Sequence, residues 1–65
     1  MSDAIKIRRL EAAISYLKYA RYQVVLALGT TDSGEETVAD IDGIIEDIDA
    51  DIVFFQNGSP RDPAA

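Results

Sequence analysis

From Val38 to Phe55 the bulky apolar residues fall at Val38, Ile41, Ile45, Ile48, Ile52 and Phe55, in steps of three and four that alternate without error. That spacing is a heptad seam: it keeps one apolar stripe on one side of a helix, facing one partner along its length. Ile44 widens the stripe. A helix of this kind must bury the stripe against a second element, so the rest of the chain is read for that element.

The N-terminal half supplies it. Ser2 and Asp3 suit a helix start, and Ile7, Leu10, Ile14, Leu17, Val24 and Leu28 recur at helical spacing before Gly29, a C-terminal stop. This predicts a first helix over about residues 3–28, roughly seven turns long. Residues 22–28, with Tyr22, Val24, Val25 and Leu28, also tolerate a strand. Helix is preferred because the stripe runs through them without changing period and no turn signal precedes them. Gly29, Thr30, Thr31, Asp32, Ser33 and Gly34 then mark a turn. Ser33 followed three residues later by Glu36 matches a capping box, which places the second helix over about residues 34–56 with Asn57 and Gly58 as its stop. The expected organisation is one helical domain, residues 1–58, followed by a disordered tail, 59–65, that carries two prolines.

Charge predicts how the helices meet. Residues 1–29 hold five bases against two acids, +3, and residues 30–65 hold ten acids against one base, −9, which together give the net −6. Lys6, Arg8 and Arg9 lie near the start of the first helix, and Asp47, Asp49 and Asp51 toward the end of the second. Each cluster opposes the macrodipole of its own helix. An antiparallel hairpin brings the clusters together and turns that cost into attraction. Each exposed pair contributes only about 0–1 kcal/mol, enough to select orientation more than to supply stability.

Size demands more than a hairpin. A chain of 65 residues buries only about 60% of the surface its unfolded form exposes. Disulfides, a structural metal or self-association usually make up that deficit, and this sequence has neither Cys nor His. The same absence removes the usual ligands of zinc, iron–sulfur and haem centres and the usual bases of nucleophilic catalysis. Neither a secretory leader nor a run of about 18 apolar residues is visible, so the chain is expected to be soluble and cytoplasmic, with no membrane contact. The acidic balance repels phosphate backbones and argues against direct nucleic-acid binding.

Residues 39–51, ADIDGIIEDIDAD, invite a metal reading. Aligning Gly43 with the glycine of a calcium-binding EF-hand loop puts Asp40, Asp42 and Asp49 at ligand positions. The alignment fails at the first ligand position, which is Val38, and at the twelfth, which is Asp instead of the bidentate Glu; the isoleucine seam also crosses the supposed loop. A carboxylate-bridged di-metal site would need Glu-x-x-His pairs. No metal and no cofactor are expected. At about 100° per residue, Glu36, Asp40, Asp47 and Asp51 flank the seam on one side and Asp42, Glu46 and Asp49 on the other. These acidic rails are either a solvated surface or a row of carboxylates able to occupy a basic surface of a nucleic-acid-binding protein. Gly43 lies between them with Ala39 and Ala50; it either admits a close neighbour, such as Tyr22 or Arg21, or is simply tolerated.

In the first helix, Arg21 sits in the seam and is expected to pair with Asp42 or Glu46 across the hairpin. Tyr16, Tyr19 and Tyr22 form a ridge on the opposite side, near Ile5, Ala12 and Leu26. Tyrosine rings with solvated hydroxyls suit an interface. The expected fold is all-α: an antiparallel two-helix hairpin assembling as a homodimeric four-helix-type bundle. The expected function is non-catalytic, an oligomeric adaptor or structural subunit with protein partners, using Tyr16, Tyr19, Tyr22, Leu26 and Phe54 as contacts. The alternative is an acidic inhibitor or nucleic-acid mimic acting through Asp40, Asp42, Glu46, Asp47, Asp49 and Asp51.

Overall fold

The structure, a computed structural model, describes residues 2–57. Two helices, α1 (Asp3–Leu28) and α2 (Asp32–Gln56), pack against each other as a hairpin. The expected tail at 59–65 and the stop at Gly58 lie outside the described residues.

The start of α1 is capped by Ser2, whose extended backbone lets its hydroxyl accept from the Ile5 N–H at 3.2 Å. Asp3 adds an anion in the first turn, where the helix dipole favours one. Residues 22–28 are helical throughout, so the strand alternative is not taken. The helix ends where Gly29 adopts φ 58°, a region that disfavours a Cβ, while its N–H donates to the Val25 carbonyl at 2.9 Å.

The reversal that follows is shorter than the 29–34 turn read from the sequence. Only Gly29, Thr30 and Thr31 separate the helices. Thr31, not Ser33, is the N-cap of α2: its backbone is extended, its Oγ1 accepts from the Gly34 N–H at 3.1 Å, and its carbonyl accepts from the Glu35 N–H at 2.9 Å. The bend at Gly29 redirects the chain so quickly that Asp32 and Ser33 already belong to the first turn, which leaves Ser33 too late to cap it. Tightness of this kind requires glycine at the third helical position. A Cβ on Gly34 would stand 2.9 Å from both the Gly29 carbonyl oxygen and the Leu28 Cβ.

The seam runs through most of the hairpin, but Leu28 at the end of the α1 stripe is exposed and so is Ile44, which therefore does not widen the covered stripe of α2. Ile7, Leu10, Ile14, Leu17 and Val24 of α1 are half-buried, as are Val38, Ile41, Ile45, Ile48 and Phe55 of α2. Ile52, at 5% exposure, is the one buried large apolar residue among those described, and α1 contributes no buried residue at all. Full burial of such a side chain is worth about 1.5–3 kcal/mol. A seam of half-buried residues gains only part of that at each position.

Register is fixed by contacts at both ends. The Lys6 ammonium lies 5.2 Å from the Phe55 ring centroid, Arg21 bonds Asp42, and Leu28 approaches Gly34. Residues that stand level across the hairpin therefore have numbers summing to about 62, the ordering of an antiparallel pair.

Candidate interaction surfaces

α1 has two apolar faces, and the hairpin covers one. On the uncovered side Tyr16 is 76% exposed, Tyr19 65%, Tyr22 57% and Leu26 63%, with Ile5 exposed beside them. A stripe seven residues apart, Ile5, Ala12, Tyr19 and Leu26, runs along this face roughly opposite the seam. Four of the five candidate contact residues, Tyr16, Tyr19, Tyr22 and Leu26, thus share one face of one helix. The fifth, Phe54, stands apart on α2, half-buried and packed edge-on against Phe55 with ring centroids 5.1 Å apart.

The acidic residues divide in the same way. Asp40, Glu46, Asp47 and Asp49 are exposed on α2, and none has a hydrogen bond or ion pair among the described residues. Asp42 is drawn into the hairpin: its Oδ1 accepts from Arg21 Nε at 2.9 Å, a pair with both side chains half-exposed. Of the two partners the sequence offers Arg21, geometry selects Asp42. Exposure limits the pair to about 0–1 kcal/mol, so its role is register. Asp51 is half-buried and also engaged. Each rail thus has one engaged, half-buried carboxylate, Asp51 in one and Asp42 in the other, and presents the rest to solvent.

At the N-terminal end the expected matching of charge clusters is only partly realised. Among the described residues, neither Arg8 nor Arg9 makes an ion pair with Asp47 or Asp49. Lys6 instead lies 3.8 Å from Asp3 of its own helix and covers Phe55, a contact that sequence spacing did not single out. A cation over an aromatic face needs the ring and the charge at one level, which follows from register and not from charge counting.

The close-approach reading of Gly43 is not met within the hairpin, because a Cβ there would find nothing within 4 Å. The demanding glycine is Gly34, which in the sequence stands out only as part of the turn. The sequence carries no signal for it: any residue but proline would supply the N–H that the Thr31 hydroxyl accepts from, and the need for glycine comes from the Gly29 carbonyl and Leu28 Cβ that the reversal brings against it.

Residues 38–49 are continuous helix, so the carboxylates of Asp40, Asp42 and Asp49 are strung along a rod instead of folded about one point. Among the described residues no group of three acidic side chains is placed to hold a metal ion, and no helix is long and apolar enough to cross a membrane. Near the turn an open groove is lined by Val25, Gly29, Thr30, Glu35, Val38, Ala39 and Asp42. Comparison with known protein families, with curated protein sequences and with solved structures returns no match.

Proposed function

We propose that this chain is a small cytoplasmic, non-catalytic assembly protein, a helical hairpin that works by associating with further copies of itself and, through them, with protein partners. The observation that carries this reading is that α1 has no buried residue while Tyr16, Tyr19, Tyr22 and Leu26 stand more than half exposed on one face. A large apolar patch on a small chain marks an interaction site, and tyrosine is the residue type enriched in such sites. A four-helix-type bundle is the smallest assembly that gives α1 a neighbour on both sides. No cofactor enters this function.

Thermal unfolding followed by circular dichroism at several concentrations tests it. Association that stabilises the folded state makes Tm rise with concentration, and replacing Tyr16, Tyr19 and Tyr22 together by Ala should abolish that dependence. A Tm that is independent of concentration in the unaltered protein would contradict self-association.

A second reading rests on Asp40, Glu46, Asp47 and Asp49, which are exposed and make no ion pair among the described residues. Carboxylates in a row on a rigid helix complement a basic surface, so the protein would inhibit a nucleic-acid-binding partner by occupying its phosphate channel. Neutralising these four residues to Asn or Gln should abolish such binding. It would leave binding through the tyrosine face in place.

A further inference from the structure

We propose that copies of this hairpin dock side by side through unlike faces: the tyrosine face of α1 in one copy seats on the outer face of α2 in the next, with Tyr19 over Gly43. This rests on the self-association reading and replaces its two-copy bundle with a directional, side-by-side assembly.

The outer face of α2, roughly opposite its isoleucine seam, carries the small residues Ala39, Gly43 and Ala50 along its middle, Glu36 and Phe54 toward its two ends, and Asp40, Glu46 and Asp47 at its edges. Small residues let a neighbouring helix approach, and the open space above Gly43 leaves room for a large side chain. The outer face of α1 has the complementary form: rings of Tyr16, Tyr19 and Tyr22 standing into solvent, with Arg8 near one end.

Register makes the two faces match. Within the hairpin, level residues have numbers summing to about 62. A second hairpin shifted sideways without sliding keeps the same levels between its α1 and the first copy's α2. Tyr19 then falls level with Gly43 and Ala12 with Ala50, two matches seven residues apart on each helix. On the flanks Tyr16 comes within one residue of level with Asp47 on the same side of the contact, so its phenolic hydroxyl donates to that carboxylate, while Tyr22 lies over Ala39.

Charge favours this pairing over the two-fold alternative. α1 carries five bases and two acids, whereas α2 carries nine acids and no base. Two α1 faces set against each other would oppose like charges, but α1 against α2 joins opposite ones. A contact between unlike faces leaves a free face at each end, so the assembly grows into a ring or a filament instead of stopping at two.

Two variants test this by mixing. Tyr19→Asp spoils the inserting face and leaves the receiving face intact; Gly43→Leu fills the receiving face and leaves the inserting one, at a position where the hairpin itself has room. By sedimentation velocity, each variant alone should fall to the 7.1 kDa single chain, with helical content retained by circular dichroism. An equimolar mixture should recover a twofold gain in mass and no more, because only one productive contact remains. If the unaltered protein assembles and Gly43→Leu leaves its mass distribution unchanged, the unlike-face contact is overturned while self-association stands. If the unaltered protein is a single chain at every concentration, both fall.

Discussion

Two residues at the reversal bear on stability out of proportion to their size. Gly34 is buried with no space for a Cβ, because the nearest atoms are backbone and a Cβ that cannot swing away. Gly34→Ala should therefore destabilise the fold by about 1–3 kcal/mol, the range of overpacking at a constrained site, although alanine is otherwise the better helix former. Thr31→Ala removes the N-cap acceptor and should cost about 1 kcal/mol. Chemical denaturation of both variants checks these values; a Gly34→Ala protein as stable as the parent would contradict the tight three-residue turn. Neither position was legible as such from sequence. Ser33 and Glu36 form the better local capping pattern, and Thr31 wins because the bend at Gly29 sets where helical dihedrals resume. Gly43 attracted notice because it interrupts a strong helix, yet the hairpin places no demand on it.

At the level of the helices, sequence and structure agree where a period carries the information. The alternating seam of α2 and the stripe of α1 each face the other helix, since periodicity reports which side of a helix is apolar without reference to tertiary detail. Contacts that depend on register are less legible. Spacing offers Arg21 both Asp42 and Glu46, and charge counting points Lys6 at Asp47, Asp49 and Asp51, whereas register sets Arg21 on Asp42 and Lys6 over Phe55. The Arg21–Asp42 pair should show a coupling energy below about 1 kcal/mol in a double-mutant cycle with Arg21→Met and Asp42→Asn, decreasing as salt rises. A coupling of several kcal/mol would mean that the pair is shielded from water, as it would be if a second chain covered it.

For the molecule as a whole, the deciding quantity is what the hairpin leaves uncovered. One buried large apolar residue among those described, set against the exposed Ile5, Tyr16, Tyr19, Tyr22 and Leu26, is a poor core for an independent chain and a good surface for an associating one. In the proposed assembly, opposite charges on the two helices give association a direction and a salt dependence. Light scattering across a wide concentration range, at low and at high salt, tests this most directly. The average mass should exceed 7.1 kDa, rise with concentration and fall as salt is added. A fully helical single chain of 7.1 kDa at every concentration and salt level would contradict it.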